Sequence, residues 1–184
     1  MFTASKSTLQ FASLNDRPFA GYLYGGIGIS RFYKSNNLFS TDIEMGVIGP
    51  NAKGEELQNF MHNIYNYPEL LGWKHQIQNA FALNFTASYL YYFPKMSSNT
   101  LDISSFNLLK AGTVFTSLSS GIYARIGVKN LQPFSNSVAF NSNLNTNSSA
   151  KSESFVFIKP MLNYTLYDAT IEGSFSKYKQ PSYF

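Results

Sequence analysis

Apolar and polar side chains alternate along much of this chain, and the alternation is clearest over residues 81–93. Because every second side chain of a β-strand lies on the same face, this pattern predicts a strand with one apolar and one polar face. The run exceeds the usual strand of about five or six residues and matches a membrane-spanning strand of about 9–11 residues, apolar towards lipid and polar towards a lumen. Its apolar positions are Phe81, Leu83, Phe85, Ala87, Tyr89, Tyr91 and Phe93.

Further strands are predicted wherever the same alternation recurs, and a poor strand or entry loop precedes them at residues 2–15. Pro160 argues against an ordinary central strand at its position, and a change of phase near Tyr167 predicts either a hairpin or a bulge. We expect seven or eight strands in all, with a short turn at residues 117–120. The other strand segments are residues 19–33, 39–47, 101–116, 121–129 and those from Phe155 onwards.

Two long connections interrupt this strand pattern: a helix-bearing loop at about 50–76 and an Asn/Ser-rich loop at about 130–153. We expect the long loops on one rim and the short turns on the other, as in outer-membrane barrels. The predicted fold is therefore all-β, an antiparallel transmembrane β-barrel that forms a single domain over residues 1–184. A soluble β-sandwich is the alternative, although it rarely carries Phe and Tyr at so many successive outward positions.

The only convincing helical stretch begins near Gly54, where Glu55 and Glu56 suit the positive end of a helix dipole. Gln58 and His62 are four residues apart and would share one helix face. An imidazole beside a carboxamide can take a proton from water and orient the water for attack, which makes the pair a candidate catalytic site. A surface helix without chemistry fits the same residues, because histidine often serves as an ordinary polar side chain.

Composition narrows the functional classes. Aromatic residues make up 17% of the chain and charged residues 13%, whereas about a quarter of the residues of a soluble domain are charged. The chain has no cysteine, which excludes zinc–thiolate sites, disulfides and a thiol nucleophile. The net charge of +4 is modest and unclustered, so we expect no nucleic-acid partner.

Three separated motifs, in the right order, resemble those of one known family. The segment Asp16-Arg17-Pro18-Phe19-Ala20-Gly21 is similar to that family's Asp-Arg-Pro-Tyr-Ala-Gly. The segment Gly46-Val47-Ile48-Gly49-Pro50 is similar to its Gly-Val-Val-Gly-Pro. Gly54-Glu55 with Gln58 and His62, followed by Gly72-Trp73 and Gln76, resembles its helix-bearing loop. The family is that of the outer-membrane lipid A 3′-O-deacylases.

This resemblance implies a twelve-stranded barrel in the bacterial cell outer membrane, with a site between the wall and the helix of an extracellular loop. It also implies calcium-dependent hydrolysis of the 3′-linked acyloxyacyl ester of lipid A. His62 matches the catalytic histidine and Gln58 its helical neighbour. The implied partners are lipopolysaccharide, outer-membrane lipids and the barrel-assembly machinery. For Arg17 two roles stay open, binding a substrate phosphate or bracing Asp16.

The chain departs from the family at its start. The Asn-Asp pair of the family's first strand and the Tyr-Thr-Asn-Gly motif of its second, which carry the calcium-site and oxyanion roles, have no match here. We therefore assign no metal ligand and expect a fragment of the barrel that is inactive on its own. The competing hypothesis is an outer-membrane barrel with a structural or adhesive role that uses its Asn/Ser-rich loop and catalyses nothing.

Overall fold

The computed structural model describes residues 18–67, 70–140, 142, 144 and 152–173. Seven antiparallel strands form one sheet that curls into a half-barrel. Helix α1 spans Gly54–Ile64 and helix α2 spans Ala169–Glu172. The strands are β1 (Tyr22–Phe32), β2 (Leu38–Ile48), β3 (Ala80–Tyr92), β4 (Leu101–Gly112), β5 (Phe115–Gly127), β6 (Phe155–Ile158) and β7 (Met161–Asp168).

The outward face of the sheet is apolar and exposed, which confirms the predicted transmembrane pattern. Ile27 and Ile29 of β1 are 79% and 75% exposed, and Phe81 of β3 is 59% exposed. The inward neighbours Ala82 and Asn84 are buried. Since the described residues form a single sheet whose outer face carries exposed rings such as those of Phe81 and Tyr89, the β-sandwich alternative is wrong for this part of the chain.

The last two strands form one strand that Pro160 interrupts. Both pair with β5 in the same register, β6 with residues 124–127 and β7 with residues 115–121. Proline has no N–H group to donate to the ladder, so pairing stops at residues 159–160 and then resumes. A register shift lies between Thr116 and Ser117, opposite Thr165 and Tyr167. Of the two interpretations of the phase change near Tyr167, the bulge is therefore correct.

The predicted turn at residues 117–120 is wrong. These residues lie inside β5, and the chain turns at residues 113–114 instead. Ser119 is buried on the inner face and donates a hydrogen bond to Asn163, while Leu118 points outward. Inward positions of a membrane barrel tolerate small polar residues, so Ser117 and Ser119 fit a strand. Ser120 lies outward and donates a hydrogen bond of 2.8 Å to Asn107 of β4.

The expectation that both long loops lie on one rim is also wrong. The helix-bearing loop follows β2 and the Asn/Ser-rich connection follows β5. These strands lie three positions apart in an antiparallel sheet, so they run in opposite directions and end at opposite rims. The backbone N–H of Phe134 donates to the side chain of Asn36 in the β1–β2 turn, 2.7 Å away. Gly49 and Gly21 are hydrogen-bonded at the other end of the sheet. We call that end, with residues 49–67, 70–79 and 113–114, the helix rim, and the other end the opposite rim.

Two apolar clusters lie on the inner face near the two rims. Ile48, Ala82 and Val114 belong to the cluster at the helix rim. Leu90 and Phe134 belong to the cluster at the opposite rim. The inner face between them is polar, as expected for a barrel lumen. No helix among the described residues has the length and apolar character needed to cross a membrane.

Candidate active site on the helix-bearing loop

Helix α1 starts after two sharp backbone turns. Gly49 has a φ of 96°, and Pro50–Ala52 form a short 3-10 turn. Lys53 then adopts the left-handed conformation and precedes the helix. Its ammonium donates a hydrogen bond of 2.7 Å to Glu56, which lowers the pKa of the Glu56 carboxyl and raises the pKa of Lys53. Because both side chains are exposed, this ion pair adds little to the stability of the helix.

The indole of Trp73 fixes one side of α1. Its Nε1–H donates to Oε1 of Gln58 over 2.8 Å, and its ring packs edge-on against Phe19 with 5.1 Å between centroids. A Cβ added at Gly54 would come within 2.7 Å of Cη2 of Trp73, so only glycine allows this approach. Trp73 is 7% exposed, which makes it the residue that anchors the helix to the loop.

His62 lies one helical turn after Gln58, on the same helix face. Its side chain is half-buried. The ring of Tyr67 packs edge-on against the imidazole with 5.7 Å between centroids, and the Tyr67 N–H donates to the carbonyl oxygen of His62 over 2.8 Å. The other histidine of the chain, His75, ends the 3-10 turn that carries Trp73.

Helix α1 begins on the outward, lipid-facing side of the wall. Leu23 of β1 points outward, and Gly21, two positions earlier, keeps that parity. A Cβ added at Gly21 would meet the Cβ of Ala52 at 3.2 Å and the backbone nitrogen of Gly54 at 3.3 Å. The loop therefore folds over the outer surface at the helix rim, and the helix that carries Gln58 and His62 starts there.

A second polar cluster lies on the inner face of the wall. The hydroxyl of Tyr22 donates to Glu44 over 3.3 Å and accepts from Asn84 over 2.8 Å. The Asn84 carbonyl oxygen accepts from the backbone nitrogens of Val114 and Phe115, so this side chain connects three parts of the sheet. A cavity of about 220 Å³ opens beside this cluster. It lies on the side of the wall opposite the start of α1.

The structure places the predicted site residues as follows. Gln58 and His62 come together on one helix face, whereas Arg17 lies outside the described residues. Their catalytic roles stay predictions, as does the role of Arg17. Sequence reasoning missed the hydrogen bond between Trp73 and Gln58, because the two residues are 15 positions apart and only the loop fold joins them.

A curled antiparallel sheet with an apolar outer face, a polar inner face and a helix on its rim defines an outer-membrane β-barrel protein. A model of the family described as "Outer membrane protein LpxR" matches residues 1–183. The chain belongs to this family of outer-membrane proteins.

Among solved structures, LpxR from Salmonella typhimurium has a similar fold, with a TM-score of 0.62 at 19% sequence identity. The match covers 85% of this chain and 54% of that chain, so this chain spans about half the length of that protein. At this identity the likeness establishes the fold alone. No curated protein matches the sequence.

Proposed function

We propose that a barrel containing this chain hydrolyses the 3′-linked acyloxyacyl ester of lipid A in the outer membrane. One observation carries the proposal: α1 starts on the outward side of the wall and holds Gln58 and His62 on one face. An ester of a membrane lipid can reach this position from the surrounding leaflet without entering the lumen. We also propose that the barrel-assembly machinery inserts the protein.

In the proposed reaction the neutral imidazole of His62 takes a proton from water as the water oxygen attacks the ester carbonyl carbon. The tetrahedral intermediate then collapses, the bond between the carbonyl carbon and the sugar 3′-oxygen breaks, and the imidazolium returns its proton to that oxygen. The products are the released acyloxyacyl carboxylic acid and a free 3′-hydroxyl group on the sugar.

Gln58 has a positioning role in this proposal. Its Oε1 accepts the Trp73 N–H, which turns the amide so that its NH₂ group is the end presented to other partners. An amide N–H near the attacked carbonyl can stabilise the negative charge that develops on the oxygen. Arg17 is proposed to bind a phosphate of lipid A.

Calcium, which the resemblance implies, does not fit the described residues. Within this part of the chain no group of three or more His, Asp or Glu side chains could hold a metal ion. Near the helix, Glu56 is engaged with Lys53. No step above is routed through a cation, and any calcium ligands are proposed to lie outside the described residues.

The test replaces His62 with alanine in the source strain and examines its lipid A by mass spectrometry. We expect the 3′-deacylated species of the parent strain to disappear. The matched control is His75→Ala, since His75 is the other histidine of the chain and lies in the same loop; its lipid A should match the parent's. Unchanged lipid A in the His62→Ala strain would reject the enzymatic hypothesis.

A further inference from the structure

Helix α1 exposes an apolar stripe that no described residue buries. Leu57, Phe60, Met61 and Ile64 are 66%, 60%, 42% and 56% exposed, respectively. Their spacing of three and four residues places them on one side of the helix. The polar residues Glu55, Glu56, Asn59 and Asn63 occupy the other side. A stripe of this kind on a soluble surface marks a binding face.

The stripe lies close to the lipid-facing surface of the wall. The helix begins against Gly21 on the outward side, and an 11-residue helix extends only about 16 Å from that point. The outward residues at the same rim are Leu23, Phe81 and Leu83, which are 57%, 59% and 42% exposed. The apolar stripe thus starts at the edge of a surface that already faces lipid.

We propose that α1 lies in the membrane boundary, with this stripe in contact with the acyl chains of the bilayer that surrounds the barrel. Helices in this position bury their apolar side about 5–10 Å into the region between headgroups and acyl chains and keep their polar side in water. Tyr65 and Tyr67 follow the stripe, each 61% exposed, and tyrosine is enriched at this depth because its ring is apolar and its hydroxyl polar.

The occupant of the stripe is bulk membrane lipid, because the stripe continues a lipid-facing wall. A second protein chain would need its own apolar surface inserted between the helix and the bilayer. The inference goes beyond the proposed hydrolysis and holds whether or not His62 acts as a base. Its consequence is that the helix is held at a fixed depth relative to the ester groups of the leaflet.

The absence of cysteine from the chain allows a direct test with single cysteine variants. Phe60→Cys and Ile64→Cys on the stripe, and the matched controls Glu56→Cys and Asn63→Cys at exposed positions of the polar side, are each labelled with a polarity-sensitive fluorophore. The complete barrel that contains this chain is reconstituted into phosphatidylcholine vesicles with or without lipids spin-labelled near the headgroup. Ile27→Cys on the outer wall serves as the membrane reference.

We expect blue-shifted emission at positions 60 and 64, with at least half of the quenching by spin-labelled lipid that position 27 shows. Positions 56 and 63 should emit as in water and be quenched several-fold less. Equal, water-like signals at all four helix positions would overturn the proposal. Blue-shifted but unquenched signals at 60 and 64 would also overturn it, because protein would then cover the stripe. The vesicles contain no lipid A, so the outcome is independent of the proposed substrate.

Discussion

Arg125 shows how a single buried cation organises the opposite rim. Its side chain is fully buried and forms ion pairs with Asp102 and Glu153, which are also buried. The guanidinium lies over the rings of Phe134 and Phe155, at 4.8 Å and 5.4 Å from their centroids. The Glu153 carboxylate accepts further hydrogen bonds from the connection that follows β5. Arg125 therefore joins that connection to the inner wall.

We predict that Arg125→Met lowers the free energy of unfolding by about 3–5 kcal/mol, because it leaves two buried carboxylates without their cation. Urea unfolding in detergent, followed by the gel mobility of the folded and unfolded forms, measures the change. Arg31→Met is the matched control, since Arg31 is exposed and its guanidinium only stacks on Tyr33 at 5.2 Å. Arg31→Met should lower the free energy of unfolding by no more than about 1 kcal/mol. Equal losses of unfolding free energy in the two variants would contradict the prediction, because the buried ion pairs would then stabilise the fold no more than the exposed cation–ring contact does.

At the scale of elements, the two long connections lie at opposite rims of the sheet. This placement distinguishes the enzymatic hypothesis from the adhesive one. If the helix rim faces the outside of the cell, the Asn/Ser-rich connection faces the periplasm. The adhesive hypothesis needs that connection outside, so the two functions require opposite orientations of the same sheet.

We predict that a cysteine placed at Asn63 of α1 reacts with a membrane-impermeant maleimide on intact cells. A cysteine at Leu144 of the Asn/Ser-rich connection, a residue 69% exposed, should react only after the outer membrane is permeabilised. Labelling of both denatured variants controls for protein amount and thiol reactivity. Reaction of position 144 alone on intact cells would reverse the orientation and favour the adhesive hypothesis.

The sequence allowed prediction of those elements whose signal is local. The alternation around Phe85 gave β3, and the carboxylates at Glu55 and Glu56 gave the start of α1. The strand through residues 117–120 was missed because the outward position that follows Leu118 carries a polar side chain, Ser120, which interrupts the apolar alternation and bonds to Asn107 instead. The rim prediction was wrong for a different reason. The two long loops follow the second and fifth predicted strands, which run in opposite directions, so the predicted strand order itself already places the loops at opposite rims.

Of the candidate site, the sequence predicted only which residues share one face of the helix. Four-residue spacing placed Gln58 beside His62, but the contact that orients Gln58 comes from Trp73 across the loop fold. The Arg125 network escaped prediction for the same reason, because its carboxylate partners lie 23 and 28 positions away in sequence. Tertiary contacts of this kind have no periodic signature in the sequence.

At the scale of the whole molecule, the described strands leave the sheet open. The outer edges of β1 and of β6 with β7 pair with no other described strand. Unpaired backbone N–H and C=O groups cannot be satisfied by hydrocarbon, so a stable barrel in the membrane requires further strands against both edges. Those further strands would end at the same rim as α1. We therefore expect them to supply the site groups that the described residues lack.

We therefore predict that the isolated 184-residue chain, folded in detergent with lipid A, releases no acyl chain with or without added calcium. The physical reason is that the described residues contain no group of three or more His, Asp or Glu side chains that could hold the cation, and His62 alone supplies only a base. Mass spectrometry of the lipid A measures the release, and outer membranes of the source strain run in parallel show whether the activity is detectable. Calcium-dependent release by the isolated chain would contradict this prediction and place the cation ligands within the chain itself, among the residues that flank the described ones.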